Sequence, residues 1–172
     1  MVASETGSVQ ATVLRDGSAV EVRPVGPDDG PRLLAFLSSL SVDSRYSRFF
    51  SLSPDLVHAA RSAVGLTGER CFGLLALAPG GGPVVGHAGY WLLQPGRAEM
   101  AIAVADLYQG RGLGSLLLGR LARTGHEKGI EMFVMDVLPM NLGAVRLLSQ
   151  SGHPLSARFR GDVIRFELVI GG

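Results

Sequence analysis

The chain has 172 residues, of which 47% are hydrophobic and 18% charged, and its formal net charge is +1. This length suits one domain with a substantial core, and the composition is typical of a globular chain. The sequence has neither a basic, aromatic-rich segment nor an apolar run of roughly 20 residues, so we expect no nucleic-acid or membrane partner. The small, polar residues 1–12 are predicted to form a loose tail before a single domain over residues 13–172.

Cysteine and histidine usage limits the redox and metal chemistry. Cys71 is the only cysteine, so no intramolecular disulfide can form and a reducing, cytoplasmic setting is expected. The four histidines lack metal-ligand spacing with one another or with a pair of cysteines. We therefore predict no metal site.

In chain order, the first predicted element is a strand, because side chains alternate from Ala19 to Pro24. Pro27-Asp28-Asp29 is typical of a helix start, and apolar residues then repeat at helical spacing up to Leu40. Serine and aspartate residues that suit helix caps follow, so two more short helices are predicted, over about 45–50 and 53–64.

The rest of the chain predicts a mixed sheet. Three apolar runs joined by short turns should be antiparallel neighbours, whereas a strand, a crossover helix and a further strand make a parallel pair. The predicted elements are strands over 71–78, 84–93, 98–104 and 130–138, helices over about 113–128 and 141–152, and one or two closing strands within 158–170.

The most informative segment is the glycine-rich run Gln109-Gly110-Arg111-Gly112-Leu113-Gly114, which lies between a predicted strand and a predicted helix. The first amides of a helix have no acceptor within the helix, and the helix dipole favours an anion there. Glycines let the main chain approach a bound group closely. The segment therefore predicts a phosphate cradle.

Other glycine loops fit this segment less well. A nucleotide-hydrolase loop would need a lysine followed by a hydroxyl residue after its last glycine, and no such pair is present. A dinucleotide fingerprint would require glycine at Ser115, and it normally lies in the first strand–helix unit of its domain. A purely structural glycine turn remains open.

The order Gln-x-x-Gly-x-Gly resembles the pyrophosphate-binding signature of the GNAT superfamily of N-acetyltransferases, which bind acetyl-CoA. The element order is also the GNAT order, which implies an α/β (α+β) fold: a mixed central β-sheet of about six to seven strands flanked by about four helices. The segment from Leu40 to Phe50 resembles one in the GNAT domains of bacterial protein lysine acetyltransferases.

This resemblance implies two sets of binding residues. The acceptor site would be lined by Arg45, Tyr46 and Phe49. Periodicity alone instead favours a helix whose aromatic side chains fill the core while Arg45 and Arg48 stay in solvent. Asn141 would lie near the pantetheine arm, as a helix N-cap or as a ligand. The residues implied in binding acetyl-CoA are Ile102, Ala103, Val104, Gln109, Gly110, Arg111, Gly112, Leu113, Gly114, Ser115 and Asn141.

Glu99 is the candidate general base. In its strand it shares one face with Ala101 and Ala103, whose small side chains leave space above the sheet. The corresponding glutamate of the resembling family is regarded as the base; the alternative is a glutamate in solvent or paired with Arg97. A tyrosine that serves as general acid in many relatives is replaced here by Leu148.

The resemblance therefore implies an acetyl-CoA-dependent N-acetyltransferase acting on a protein lysine, with a protein such as an acyl-CoA synthetase as substrate. A small amine, either an amino acid or an antibiotic, is an alternative acceptor. A third possibility is a non-catalytic sensor that binds acetyl-CoA. The chain would be a monomer or a homodimer.

Overall fold

An eight-stranded sheet forms the centre of the computed structural model, which describes residues 9–65, 68 and 70–171. Its strands are β1 (Gln10–Val13), β2 (Ala19–Pro24), β3 (Cys71–Leu77), β4 (Val84–Gln94), β5 (Arg97–Val104), β6 (Met132–Val137), β7 (Leu155–Arg160) and β8 (Val163–Val169). They are arranged in the order β1-β2-β3-β4-β5-β6-β8-β7. Neighbouring strands are antiparallel except β5 and β6, which are parallel, so the predicted mixed sheet is confirmed.

Helices cover both faces of the sheet. They are α1 (Gly30–Ser39), α2 (Val42–Phe49), α3 (Leu56–Val64), α4 (Leu113–Glu127) and α5 (Leu142–Ser149). The first three lie on one side, here called the front face, and α4 and α5 lie on the opposite, back face. The predicted architecture is confirmed, with eight strands and five α-helices in the described residues instead of about six to seven and about four.

The N-terminal tail is shorter than predicted. β1 pairs with β2 from Gln10 with Val22 to Val13 with Ala19, so residues 10–12 belong to the sheet. An edge strand forms backbone hydrogen bonds on one side only and needs only one shielded face. The shielded face of β1 consists of the half-buried Gln10 and Thr12, which give no apolar pattern in the sequence. Residues 1–8 of the predicted tail lie outside the described residues.

Each face has its own core. On the back face, Leu117 and Leu121 of α4 are fully buried against Phe133 of β6. On the front face, Leu33 of α1 and Ala63 of α3 belong to a second core with residues of β3, β4 and β5. The described residues of β6, β7 and β8 contribute nothing to that front core. The front helices therefore leave half of the sheet uncovered.

Two glycines of α4 have contrasting surroundings. A Cβ on Gly125 would lie 2.8 Å from Cζ of Phe133 and 3.2 Å from Cδ1 of Ile170, both core side chains. A Cβ on Gly119 would meet nothing within 4 Å. Gly125 therefore allows α4 to approach the sheet closely, whereas Gly119 has no such role.

We expect Gly125→Ala to destabilise the fold by about 1–3 kcal/mol, because Phe133 cannot move out of a packed core. Gly119→Ala in the same helix should instead stabilise it by about 0.5–1 kcal/mol, since alanine loses less backbone entropy than glycine. Urea unfolding of the two variants and the wild type measures both changes. Equal effects of the two substitutions would contradict the close packing of α4.

Candidate functional site

The two parallel strands at the centre of the sheet separate along their length. β5 and β6 pair only over three positions, Arg97–Glu99 with Met132–Val134. Beyond them β5 stays paired with β4 as far as Val104, and β6 stays paired with β8 as far as Val137. A cleft therefore opens after Glu99, and the main chain of β5 beyond that point is not paired with β6 in the described structure.

Two cavities meet beside this cleft. The front cavity, of about 290 Å³, lies between α2, α3 and the front face of β4 and β5. The cleft cavity, of about 110 Å³, lies between β5 and β6 and reaches Ala144 of α5 on the back face. Arg48, Glu99 and Ala101 line both cavities. A group entering through the sheet and a second group in the front cavity would thus meet next to Glu99.

Glu99 is exposed on the front face, directly across from Trp91 of β4. Ala103 of the same strand packs in the front core and Met100 in the back core, which confirms the predicted alternation of β5. Arg97, the alternative partner of Glu99, instead forms an ion pair with Glu167 of β8.

The front face also carries two buried polar groups. Burial lowers the pKa of the Arg48 guanidinium to about 10, against the opposing effect of the Glu99 carboxylate, so Arg48 is cationic at neutral pH. Burial and the charge of Arg48 lower the pKa of His87, directly across from Ala103, to about 3, so His87 is neutral. Arg48 Nε and His87 Nε2 have no hydrogen-bond partner among the described residues.

Hydrogen bonds fix α2 to the segment after β5. The Asp106 carboxylate accepts from Ser41 N at 3.0 Å, from Ser41 Oγ at 2.7 Å and from Ser44 Oγ at 2.7 Å. Burial alone would raise the pKa of Asp106, but these hydrogen bonds lower it below its usual range. Gln109 Nε2 adds bonds to Ser44 Oγ at 3.1 Å and to Val104 O at 3.2 Å. The helix that carries Arg48 is therefore held in place from the glycine-rich loop.

The glycine-rich loop has the backbone that a phosphate cradle requires. Gly110 and Gly112 have φ of 73° and 93°, in the left-handed region that glycine adopts readily. The first backbone bond of α4 runs from Leu116 N to Gly112 O, at 3.0 Å. The amides of Leu113, Gly114 and Ser115 therefore have no acceptor within the helix, and no other described residue accepts from them.

The two polar side chains of the loop have protein partners. Gln109 joins α2 to β5, as described above, and the Arg111 guanidinium lies 3.2 Å from the Asp16 carboxylate and 5.2 Å from the centre of the Tyr108 ring. The free donors of the loop are thus main-chain amides. Ile102 lines the cleft cavity, while Ala103 faces the front core and Val104 accepts from Gln109.

The start of α5 forms the other wall of the cleft. Asn141 lines the cleft cavity and its Oδ1 accepts from Ala144 N at 3.0 Å, so it is the N-cap of α5. Leu148, one turn further along α5, is only 1% exposed and packs in the back core. It has no proton to donate.

Of the three residues predicted to line an acceptor site, the structure brings Phe49 to the front cavity. Arg45 and Tyr46 are half-buried and line neither cavity formed by the described residues. The sequence reasoning missed Trp91, and its expectation from periodicity that Arg48 stays in solvent is wrong. Helical spacing puts Arg45, four residues before Phe49, on the same face and so favours the other arginine. The position of Trp91 depends on the register between β4 and β5.

Comparison with known proteins identifies the family. Residues 33–153 match the model of the acetyltransferase (GNAT) family, which is more than half of the chain. The chain belongs to the GNAT family. This is a family of acetyltransferases, which points to acetyl-CoA as the cosubstrate. An acetyltransferase named Pat from Mycolicibacterium smegmatis is 29% identical over 143 residues; the match covers 81% of this chain and 42% of that relative.

Solved structures of GNAT proteins share the fold. The GNAT domain of S. lividans PAT is 32% identical with a TM-score of 0.78, and the match covers 92% of this chain and 95% of that domain. A cAMP-binding acyltransferase from Mycobacterium smegmatis is 25% identical with a TM-score of 0.67, covering 94% of this chain and 48% of that one. The yncA protein of Salmonella typhimurium, solved with acetyl-CoA, is 17% identical with a TM-score of 0.69, covering 87% of this chain and 91% of that one.

The residues present fit acetyl-CoA. The free amides at the start of α4 suit its pyrophosphate, and the unpaired wall of β5 suits an extended arm that carries amide groups. Among the described residues, no three His, Cys, Asp or Glu side chains gather as metal ligands, and no helix is long and apolar enough to cross a membrane.

We expect Gly110→Ala to weaken acetyl-CoA binding about tenfold, because it disturbs the amides of the cradle. Gly80→Ala is the matched control, since Gly80 has φ of 72°, like the 73° of Gly110, and a Cβ at either position meets nothing within 4 Å. Both variants should lose about 1–2 kcal/mol of stability from the strained backbone. Calorimetric titration that gives equal affinities for the two variants would contradict the cradle.

Proposed function

We propose that the chain transfers the acetyl group of acetyl-CoA to the side-chain amine of a protein lysine, with Glu99 as the general base. The observation that carries this proposal is the meeting of two cavities at Glu99. The thioester would approach through the cleft between β5 and β6, and the amine through the front cavity. Direct attack of the amine on the thioester carbon needs both groups at one point.

Glu99 can accept the proton that the lysine amine must lose before it attacks. A lysine amine with a pKa of about 10.4 costs roughly 4–5 kcal/mol to deprotonate at pH 7. The Glu99 carboxylate, exposed at the junction, can take that proton directly or through a water. The new C–N bond replaces the C–S bond, and CoA leaves as a thiolate. Because a thiol has a pKa near 8.5, this leaving group does not require the general acid that Leu148 cannot supply.

The main chain of β5 supplies the second element of catalysis. Its groups beyond Glu99 are free of β6, so an N–H of this stretch can donate to the thioester carbonyl as negative charge develops there. Side chains contribute little to such a contact. We therefore assign Ile102, Ala103 and Val104 to cosubstrate binding through their backbone.

The front cavity suits one aliphatic amine better than a polycationic antibiotic. Its walls include Phe49, Ala59, Ala63 and Trp91, which fit the methylenes of a lysine side chain. Among the described residues, Glu99 is the one carboxylate that lines this cavity, and Arg48 adds a positive charge that repels further cations. The similarity to the Pat relatives favours a protein acceptor. An acyl-CoA synthetase in the cytoplasm stays the proposed acceptor, on the resemblance of the segment from Leu40 to Phe50.

An amino acid is a second candidate acceptor. Arg48 has a buried Nε without a hydrogen-bond partner among the described residues and lines the front cavity, so it could bind the carboxylate of a small substrate. Incubation of a cell lysate with isotopic acetyl-CoA separates the candidates. Label on defined protein lysines supports the proposal, label on amino acids supports this alternative, and cosubstrate binding without any transfer indicates a sensor.

We expect Glu99→Gln to lower turnover about 100-fold at pH 7 while acetyl-CoA affinity changes less than twofold, because only the proton acceptor is lost. Glu127→Gln, an exposed change in the last turn of α4, is the control and should keep the wild-type rate. Label transfer to the lysate proteins gives the rates, and calorimetry gives the affinity. A Glu99→Gln enzyme with the wild-type rate would exclude Glu99 as the base.

A further inference from the structure

The front face beyond the helices is an open, charged half-sheet. We define it by the polar side chains on the front face of β6, β8 and β7, namely Asp136, Arg165, Glu167, Ser156, Arg158 and Arg160; the apolar Met132, Val134, Val163 and Val169 share this face. Phe166 and Leu168 of β8 point into the back core. Because successive side chains of a strand alternate between the two faces, Arg165 and Glu167 face the front. The front helices take no part of their core from these strands in the described structure.

Strand register connects this half-sheet to Glu99. Glu99 of β5 is paired with Val134 of β6, and Val134 is paired with Glu167 of β8. Glu167 is in turn paired with Ser156 of β7. Three strand spacings of about 4.8 Å separate β5 from β7. Arg158, two residues beyond Ser156 on the same face, is therefore roughly 15 Å from Glu99. The half-sheet is a continuation of the surface onto which the front cavity opens.

The charges of the half-sheet do not balance. Arg165 donates to Asp136 with Nε at 2.7 Å from Oδ1, and Glu167 is paired with Arg97. Arg158 and Arg160 are exposed on the edge strand, and neither forms an ion pair within the described residues. They act on Glu167 and Asp136 only over a longer distance, and both of those carboxylates already have an arginine partner. This surface therefore has an excess of positive charge.

We infer that the open half-sheet docks the acceptor protein and that Arg158 and Arg160 select an acidic segment next to the lysine to be acetylated. This inference rests on the proposed function, since it requires a protein acceptor. An extended segment advances about 3.4 Å per residue, so the acidic side chains would lie about four or five residues from that lysine. Exposed charge pairs are individually weak, and they act mainly on substrate selection and encounter.

The test compares Arg158→Gln/Arg160→Gln with Arg123→Gln/Lys128→Gln, which removes the same charge from exposed sites on α4 and its C-cap, in the back layer. Both enzymes and the wild type are given isotopic acetyl-CoA and a nuclease-treated lysate, and label is measured at each protein lysine. We expect about tenfold less label with the β7 variant at low salt and less than a twofold change with the control. In the acceptor proteins, the labelled lysines should have acidic residues four or five positions away in the sequence, or within roughly 15 Å in the folded protein.

Two further measurements distinguish a loss of protein docking from a loss of catalysis or of acetyl-CoA binding. Acetylation of n-butylamine, which carries no acidic group, should be equal in all three enzymes, and their acetyl-CoA affinities should agree within twofold. If the β7 variant labels protein lysines as well as the wild type, the docking inference is wrong while the proposed function stands. If acetyl-CoA affinity falls instead, the arginines bind the cosubstrate and the inference is overturned. If the wild type labels no protein lysine, the proposed function fails, and the inference with it.

Discussion

The separation of β5 from β6 is the constraint on which the site depends. Had their pairing continued past Glu99 and Val134, the main chain of β5 would be satisfied by β6 and the sheet would be closed. β5 stays hydrogen-bonded to β4, and β6 stays hydrogen-bonded to β8, along the whole gap. The separation therefore removes only the hydrogen bonds between β5 and β6. The result is a passage through the sheet with backbone donors along one wall and a carboxylate at its front end.

The two sides of this passage are mechanically connected. Asp106 and Gln109, at either end of the short segment between β5 and the glycine-rich loop, both hold Ser44 of α2. That helix brings Arg48 to the junction of the cavities, and its C-cap is Phe50, whose φ of 54° is strained for a residue with a side chain. The segment that leads into the cradle and the helix that lines the front cavity are thus joined by a few hydrogen bonds.

Charge divides the front face into two functional zones. In the described residues, the covered half combines the Glu99 carboxylate with the partly buried Arg48 and apolar walls, so it suits a single amine rather than a polycation. The uncovered half consists of paired charges and two surplus arginines at its edge. Under the proposed function and the docking inference, the first zone would determine the chemistry and the second the choice of protein. Acceptor preference could then change without any change at the proposed base.

Local sequence determined most of the elements. The alternation of β5 placed Glu99 with two alanines on one face, and the glycine spacing before α4 indicated the cradle, because both signals depend only on neighbouring residues. Edge strand β1 was missed because four residues of mixed polarity give no pattern. Tertiary structure alone decided where β5 and β6 part, which of the arginines in α2 enters the cavity, and that Trp91 faces Glu99. These features depend on strand register and helix packing between segments far apart in the chain, and no local periodicity encodes them.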